Sequence, residues 1–569
     1  MNALKRVDNN VIIISLLTPL TFIILFLFRA LDDNRLTSWQ WVLTNVNITK
    51  IFLILLAGLI PAYIFSRFSF PKRYPAICLF FLSYAVATLF WGEPEVIVDA
   101  SRYFTQAKHL GVYGVGYFFR EWGKDINVWT DMPLLPFIYG LIFKFFGELR
   151  LYIQIFTTSL FSMTVALTYL IGKELWDEDT GLYAGLLLLG IPYLLTQVPL
   201  MLVDVPTMFF LMLSVFTFIK ALNHGGIWIG LSSLAIFLTF FSKYSTWLML
   251  SVLIIIFLVY LKMALVKGGE GGLRRQGKTV FYRGSITILI AGILIGVALL
   301  YKLDVFSEQI KLLINYQLPG LRRWGESFIS TFFFQIHPFI TATTVYSVYA
   351  AFKKRDLKYL IIIWLIFLVV AFQIKRIRYI MMAFPMLTLM ASYGLQGIRD
   401  RRIVRFISLC IVVFSVIIAV FAYLPFLSNT TSANIKNAGV FLNSLDTPDI
   451  EVFTIQAENP DVNYAVSVPI LDLFTEKRIR YYYDASSALP LSEVEKSPLR
   501  FTWEYKNPDY YSKINKREDS AVVVLISDDK TLKLPAYVES RIKDSRRVKK
   551  FAVSDEIFRF QVFVSVYSR

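Results

Sequence analysis

Long apolar runs separated by short polar segments dominate the chain from residue 11 to residue 424. A transmembrane helix needs about 20 mostly apolar residues, or somewhat fewer where its flanks contribute. The pattern therefore predicts a polytopic α-helical membrane protein with about thirteen transmembrane helices. Their approximate bounds are 11–30, 51–67, 75–91, 150–171, 181–198, 205–221, 227–242, 245–262, 284–302, 328–351, 359–374, 379–397 and 404–424.

The longest polar interruption of this pattern is a predicted outer loop over residues 92–149. Within it, the apolar part of 131–147 (DMPLLPFIYGLIFKFFG) covers about 15 residues, or about 22 Å of helix, against a hydrocarbon core of roughly 30 Å. We predict that this stretch is an interfacial helix that does not cross the membrane. If it crossed, every later loop would change sides.

The pattern changes after residue 423, where long apolar runs give way to alternating ones. The segment SANIKNAGVFLNSL predicts an amphipathic helix, EVFTIQ, AVVVLIS and FRFQVFVSVY predict strands, and KRIRYYYD predicts a weaker strand. We therefore predict three regions: two N-terminal transmembrane helices in 1–74, a catalytic transmembrane domain in 75–427, and a small soluble α/β domain in 428–569.

Basic residues set the expected orientation. The chain has 58 Lys and Arg against 41 Asp and Glu, a net charge of +17, but its cations lie mainly in short loops near residues 67–73, 262–283, 353–358 and 399–405. Such loops stay in the cytoplasm, which puts the N-terminus inside and the C-terminal domain outside the membrane. This explanation of the charge leaves no role for nucleic acid. The expected location is the cell membrane of a prokaryote.

Ionisable residues recur at the predicted outer boundary: Asp99 and Arg102, Asp131, Asp204, Lys243, and the basic cluster that ends in Arg378. A charge inside a bilayer costs about 2.5–3.5 kcal/mol even on the lenient insertion scale, so recurrent charges usually line a cavity or pathway. Asp204 has no other charged residue between Asp179 and Lys220. An alternative for Asp204 is a helix N-cap followed by Pro206.

Two carboxylates and several cations at one depth suggest a phosphate ligand. Paired carboxylates bind a divalent metal or act as a base, and Arg or Lys neutralises a phosphate. At a membrane surface the phosphate most simply belongs to a lipid. A sugar linked to that lipid phosphate would leave it on transfer, while a carboxylate takes the proton of the acceptor hydroxyl.

The order of these motifs resembles the GT-C fold glycosyltransferases, in particular the family 39 and family 83 types. These include the protein O-mannosyltransferases and the aminoarabinose transferase acting on lipid A. The resemblance covers roughly residues 75–400. It consists of Asp-x-x-Arg-Tyr (Asp99, Arg102, Tyr103), a Pro-Leu pair opening a helix that ends Phe-Gly (Pro133, Leu134, Phe146, Gly147), Asp204 before a span, Lys243 after a span, and Arg-Tyr-Ile with a later Pro (Arg378, Tyr379, Ile380, Pro385).

The resemblance implies roles for these residues. Asp99 and Asp204 would be catalytic and would sit beside the donor phosphate and a divalent metal, with Mg, Mn and Zn not distinguishable. Arg102, Lys243 and Arg378 would contact the phosphate.

Two departures from the family pattern concern the first outer loop. Relatives usually carry Lys or His just before the Pro-Leu pair, with a second Pro, whereas this chain reads TDMPL over residues 130–134. The missing cation leaves Asp131 as a substitute polar contact or, as we favour, the cap of the interfacial helix. Relatives often have a second acid where this chain has Ala100.

Other polar and aromatic residues have simpler explanations. Tyr103 and Tyr379 are candidate substrate contacts, although Tyr is also typical of membrane interfaces, which we favour here. His109 and His337 lie in no metal-ligand spacing. A loop with Arg322, Arg323 and Trp324 is a candidate lid, and Gly268–Gly272 predicts a flexible loop.

The predicted function is a membrane glycosyltransferase that moves a sugar from a polyprenyl (dolichyl or undecaprenyl) phosphate to a lipid, glycan or protein acceptor outside, with inversion. The alternative is a transporter or lipid flippase, for which we would expect symmetric halves or mid-span charges. The charges here gather at one boundary, which favours the enzyme. An oligosaccharide transferase acting on asparagine would be expected to show a Trp-Trp-Asp-type signature, and the chain has no Trp-Trp pair.

Overall fold

The computed structural model of the chain is predominantly helical. It describes residues 9–70, 73–267, 272–320, 325–456, 462–481, 494, 497, 499–512, 521–529, 534–555, 557–558 and 560–569. Most of residues 268–272 and all of 321–324, and with them the predicted flexible loop and the basic part of the candidate lid, lie outside the described residues. The α-helices are Asn9–Leu27, Trp39–Val42, Ile48–Ser66, Pro75–Thr88, Ile97–Tyr113, Val115–Glu121, Leu134–Phe146, Arg150–Leu175, Glu178–Leu188, Pro192–Gln197, Asp204–His224, Ile227–Phe240, Thr246–Met249, Val252–Lys267, Gly272–Tyr301, Leu303–Leu312, Leu318–Gly320, Pro338–Lys354, Tyr359–Ala371, Ile377–Ile380, Phe384–Leu395, Arg401–Ile418, Leu424–Ser428, Ser432–Asn443, Val468–Phe474, Arg500–Trp503 and Ala536–Ile542.

The chain folds into two compact units. Unit one contains Met1–Trp91, Thr157–Val198 and Val203–Leu424, and unit two contains Gly92–Phe156, Pro199–Leu202 and Pro425–Arg569. The N-terminal helices belong to unit one with the later spans, because Ile48–Ser66 packs against Arg401–Ile418. The predicted outer loop belongs to unit two with the C-terminal domain.

Unit one is a bundle of apolar helices. Within the described ranges, seven helices of the chain are long and apolar enough to cross a membrane. They are Asn9–Leu27, Ile48–Ser66, Arg150–Leu175, Asp204–His224, Thr246–Val266, Gln276–Tyr301 and Arg401–Ser428. Pro75–Thr88, Ile227–Phe240 and Tyr359–Ala371 are shorter apolar helices. The prediction of a multi-pass helical membrane protein is confirmed, whereas the number thirteen stays a prediction.

The helix Asp204–His224 is the most enclosed of the seven, with 83% of its apolar window buried. It is joined to Ile227–Phe240 by hydroxyl groups: Ser214 and Thr239 lie 2.7 Å apart, and Thr239 also donates to the carbonyl oxygen of Phe210. Interhelical hydrogen bonds of this kind contribute where apolar side chains gain nothing by leaving lipid. The helix that begins with Asp204 is therefore joined to its neighbour by hydrogen bonds as well as by apolar packing.

Unit two contains a five-stranded sheet of order β2-β1-β3-β5-β4, formed by β1 (Asp449–Ile455), β2 (Arg478–Tyr481), β3 (Val522–Ser527), β4 (Arg546–Phe551) and β5 (Phe563–Ser568). The first three positions are parallel and β5 runs antiparallel to both neighbours. The small α/β domain is thus confirmed. Strand β4 was not predicted, because RRVKKF lacks an apolar face; its exposed charges are typical of an edge strand.

The predicted outer loop is largely helical in unit two. Its two main helices are Ile97–Tyr113, which we call the loop helix, and the apolar helix Leu134–Phe146. They pack closely at Gly140, where an added Cβ would lie 2.6 Å from the Cβ of Leu110. Tyr139 donates to the carbonyl oxygen of Leu202 at 2.7 Å. At 13 residues the apolar helix spans about 20 Å, too short to cross a hydrocarbon core.

Candidate functional site

The strongest concentration of buried charge in unit one surrounds Asp204, the first residue of its helix. Its Oδ1 accepts from Lys243 Nζ at 2.5 Å and its Oδ2 accepts from Arg378 Nε at 2.9 Å. The side chains of Asp204, Lys243 and Arg378 are only 2%, 10% and 10% exposed. We call these three residues the Asp204 cluster.

Three separate elements supply this cluster. Lys243 follows the helix Ile227–Phe240, and Arg378 lies on the short helix Ile377–Ile380. Two cations face one carboxylate, so the cluster carries a local excess of one positive charge. Burying a charge costs several kcal/mol unless it is paired, and the carboxylate offsets much of that cost for both cations. The remaining positive charge makes the cluster suited to an anionic ligand.

The N-cap alternative for Asp204 does not describe the structure. Val203 occupies the cap position and no side chain caps the helix. The carboxylate of Asp204 is instead used on both oxygens by the two cations. This brings together three of the residues named from the sequence, which lie up to 174 positions apart.

Two tyrosines accompany the cluster. The ring of Tyr379, which is half-buried, lies 5.6 Å from Lys243 Nζ. Tyr193 is fully buried on the helix Pro192–Gln197 and lies within electrostatic range of Arg378 and Asp204. None of the described residues forms a hydrogen bond with its hydroxyl. Tyr193 could not be recognised from the sequence, because a Tyr within an apolar run cannot be told from a residue that only packs.

The other predicted residues lie in unit two, on or beside the loop helix. Arg102 lies between two carboxylates, 3.4 Å from Asp99 and 3.1 Å from Asp131. The side chain of Asp99 is 22% exposed and that of Asp131 only 5%. Arg102 also lies over the ring of Tyr103 at 5.6 Å. The Asp-x-x-Arg spacing predicted from sequence thus forms an ion pair across one helical turn.

The favoured interpretation of Asp131 as a helix cap is wrong. The helix begins at Leu134, its cap position is Pro133, and no side chain caps it. Asp131 instead accepts a hydrogen bond from Gln106 Nε2 at 2.9 Å and pairs with Arg102. No local pattern marks Gln106, since only folding brings its position on the loop helix opposite Asp131.

Tyr103 is also not an exposed interfacial anchor. It is 4% exposed and packed within unit two. A side chain enclosed by protein on this scale has no surface to offer to lipid head groups. The burial instead places its ring against the Arg102 guanidinium.

A second ionic network fixes the loop helix to the C-terminal part of unit two. Lys108 Nζ lies 2.7 Å from both Glu148 and Asp472, and Tyr511 donates to Asp472 at 2.8 Å. Burial alone would lower the pKa of Lys108, but the two carboxylates outweigh it and raise that pKa. Glu95 and Arg150 form a further buried pair at 2.7 Å. These contacts make the first outer loop and the sheet domain one compact unit.

The predicted divalent metal is not supported by these donors. Both oxygens of Asp204 face cations, which occupy the positions that a metal ion would need. Among the described residues there is no group of three or more His, Cys, Asp or Glu that could hold a metal ion. Asp99 and Asp204 lie in different units. A metal shared by them stays a prediction.

The architecture defines the class of protein: a multi-pass helical membrane protein with the GT-C glycosyltransferase fold and a small sheet domain. ArnT from Cupriavidus metallidurans, solved with undecaprenyl phosphate bound, aligns with a TM-score of 0.51 at 11% identity over 87% of this chain and 98% of ArnT. Its apo form aligns with a TM-score of 0.50 at 12% identity over 85% and 97%. The Archaeoglobus fulgidus oligosaccharyltransferase aligns at 0.47, with 11% identity over 81% and 70%.

A sequence-family comparison concerns a smaller part of the chain. The model of the dolichyl-phosphate-mannose-protein mannosyltransferase family matches residues 131–267, which include Asp131, Asp204 and Lys243. No curated protein sequence matches the chain. The chain is therefore similar to this family over the segment that supplies two members of the Asp204 cluster.

Proposed function

We propose that this protein is a membrane glycosyltransferase that transfers a sugar from a polyprenyl-phosphate donor to an acceptor on the outer face of the membrane. The observation that carries the proposal is the Asp204 cluster, a buried site with one surplus positive charge at the start of a membrane-spanning helix. The fold shared with ArnT supports it, as does the family match over residues 131–267.

The proposed donor contact follows from the chemistry of the cluster. Lys243 and Arg378 would hold the phosphate that links sugar and lipid, with Arg378 contributing directional donors and Lys243 a compact charge. Asp204 would keep both cations in place and limit their mutual repulsion. Because its two oxygens are already engaged, we assign Asp204 a positioning role in place of the predicted catalytic role.

The proposed transfer is a single inverting displacement. The acceptor oxygen bonds to the anomeric carbon as the bond between that carbon and the phosphate oxygen breaks, and both electrons of that bond leave with the phosphate. Asp99 stays the candidate for accepting the acceptor's proton, because its side chain is partly exposed. Lys243 and Arg378 would stabilise the negative charge that grows on the leaving phosphate.

In the experiment, proteoliposomes containing the full chain are supplied with radiolabelled undecaprenyl- and dolichyl-phosphate sugars. The amount of radiolabelled sugar that is no longer attached to the donor lipid is then measured. Lys243→Met and Arg378→Met should each lower transfer about 100-fold or more, the scale for a lost transition-state contact. Lys262→Met, which removes an exposed cation, is the matched control and should transfer normally.

Asp99→Asn tests the base, with the exposed Asp544→Asn as its control. Adding EDTA and then Mg²⁺, Mn²⁺ or Zn²⁺ tests the predicted metal separately. Full transfer by both Lys243→Met and Arg378→Met would refute the donor site. Uptake of an intact solute without any transfer would refute the enzyme class.

A further inference from the structure

Unit two contains a cavity of about 290 Å³ that the proposed donor site does not use. One side is a face of the loop helix with Arg102, Thr105 and His109, and the other sides come from residues 125–129 and 501–509. Its volume is near the lower end of the range of about 300–1,000 Å³ for small-molecule sites. The cavity is therefore sized for one small ring or a short chain end.

Aromatic rings form much of the cavity wall. Tyr113, Tyr117, Trp129, Phe501 and Tyr505 all line it. The rings of Tyr113 and Tyr117 lie 4.7 Å apart, and those of Trp129 and Phe501 lie 5.9 Å apart. Flat aromatic faces bury the C–H surface of a ring-shaped ligand at little cost in side-chain entropy. The signal in the sequence was the aromatic density of FTWEYKNPDYY.

Polar side chains also line this cavity between the aromatic rings. Asn127, Asn507, Asp125 and Asp509 also line the cavity. None of the described residues donates to the buried Oδ1 of Asn507. A buried acceptor left without a donor is unfavourable, and a ligand hydroxyl would supply the missing hydrogen bond.

Trp129 is held in a strained backbone conformation. Its φ is +46°, in the left-handed region that bulky residues rarely adopt. Asn127 stabilises this conformation, because its Oδ1 accepts from the Trp129 backbone N–H at 3.2 Å while its Nδ2 donates to the carbonyl of Glu504. Strain of this kind is unfavourable and persists at functional sites, where the side chain must point in one direction.

The charged residues that line the cavity are Arg102, Lys506, Asp125 and Asp509, and their formal charges sum to zero. Arg102 also pairs with Asp99 and Asp131, so there is no excess of positive charge here. Burial lowers the pKa of His109, so the ring is neutral at neutral pH. Its Nδ1–H donates to the Thr105 carbonyl at 2.7 Å, which leaves Nε2 as an acceptor. This balance contrasts with the net positive Asp204 cluster and favours an uncharged ligand.

We propose that this cavity binds a neutral sugar ring at the end of the acceptor, so that the acceptor is a glycan. Aromatic faces cover the ring, and side-chain amides, carboxylates and the neutral imidazole pair with its hydroxyls. The assignment to the acceptor rests on the proposed function: a donor sugar is bonded directly to its phosphate, and this cavity has no surplus positive charge to hold one.

The first test measures binding without transfer. Full-length protein in detergent is applied to an array of neutral and uronic-acid oligosaccharides, and the best neutral trisaccharide is then titrated calorimetrically. Trp129→Leu and Asn507→Ala should each raise its Kd about tenfold, the scale of one lost aromatic or hydrogen-bonding contact. Trp122→Phe is the matched control, since Trp122 is a buried Trp of the same unit that does not line the cavity.

Thermal unfolding of each variant separates a lost contact from misfolding. If Trp129→Leu fails to fold, the Kd of Asn507→Ala for the neutral trisaccharide provides the test. Retention of no neutral glycan, preference for the acidic ones, or an unchanged Kd in the folded variants would overturn the inference.

The second test uses transfer kinetics with that glycan as acceptor. Trp129→Leu should raise the acceptor KM about tenfold and leave the donor KM and kcat near wild type. A rise in the donor KM alone would overturn the acceptor assignment. Glycan binding sensitive to Trp129 in a protein that transfers no sugar would refute the proposed function while supporting a neutral-glycan site. Normal transfer with an unchanged acceptor KM in Trp129→Leu would refute the neutral-glycan site while supporting the proposed function.

Discussion

Replacing Asp204 with Asn tests whether its carboxylate positions the two cations. The substitution keeps the volume and shape of the side chain but removes the negative charge between Lys243 and Arg378. Both cations would then face each other across a neutral amide, in a site where their side chains are 10% exposed. Two like charges in low dielectric repel strongly. Each cation also still carries the desolvation cost of its burial, which the carboxylate no longer offsets.

The magnitude follows from the burial. Removing one partner of a buried ion pair costs about 3–5 kcal/mol, because the remaining charge is left uncompensated. That cost lowers the folding equilibrium constant by about two to three and a half powers of ten. The double variant Asp204→Asn/Lys243→Met removes one of the two buried cations and should recover about 0.5–3 kcal/mol of this loss, the range of coupling between residues in contact. Transfer should stay low in the double variant, because a phosphate contact is missing.

The assay is equilibrium unfolding of the full chain in mixed micelles, followed by intrinsic fluorescence, for the wild type, both single variants and the double variant. Donor-dependent transfer is measured on the same preparations. A stability for Asp204→Asn equal to that of wild type would refute the positioning argument. Full transfer by Asp204→Asn/Lys243→Met would show that Lys243 does not hold the donor.

Two further predictions concern packing and protonation. Gly140→Ala should destabilise unit two by about 1–3 kcal/mol, since its Cβ would meet Leu110, whereas Gly116→Ala, with nothing within 4 Å, should be near neutral; equal unfolding of the two would contradict the helix contact. Burial raises the pKa of Asp32 from 3.8 to about 6, so its contribution is fully present below pH 4 and is lost as the pH rises through 6. Asp32→Asn should therefore gain up to about 3 kcal/mol relative to wild type between pH 4 and pH 7.5, and a pH-independent difference in unfolding free energy would contradict this.

Local patterns predicted the helical membrane class well, because a span needs only a continuous run of apolar residues. The same reasoning predicted strands such as β1 and β3, where apolar residues are concentrated. It failed for β4, whose exposed charges lack that signal. Within the described residues seven helices meet the length and composition of a span, so the remaining predicted spans are shorter or interrupted segments, such as the break between Glu178–Leu188 and Pro192–Gln197.

The candidate site was only partly accessible from sequence. The order of motifs named Asp204, Lys243 and Arg378, and the structure brings these three side chains together. Their roles depended on geometry: Asp131 looked like a cap until its pairing with Arg102 was visible. Gln106 and Tyr193 carry no recognisable pattern, because a single polar side chain on a helix is meaningful only once its neighbours are known.

The sequence alone determined the membrane class, the small sheet domain and the identity of the charged residues that interrupt or flank apolar runs, because each of these follows from local composition and spacing. Only the tertiary structure decided which charges meet, how far they are buried, and that the segments around Trp129 and Asn507 enclose a cavity. Those properties arise from contacts between residues up to several hundred positions apart, and the energy of such contacts depends on distance and burial that no local pattern encodes.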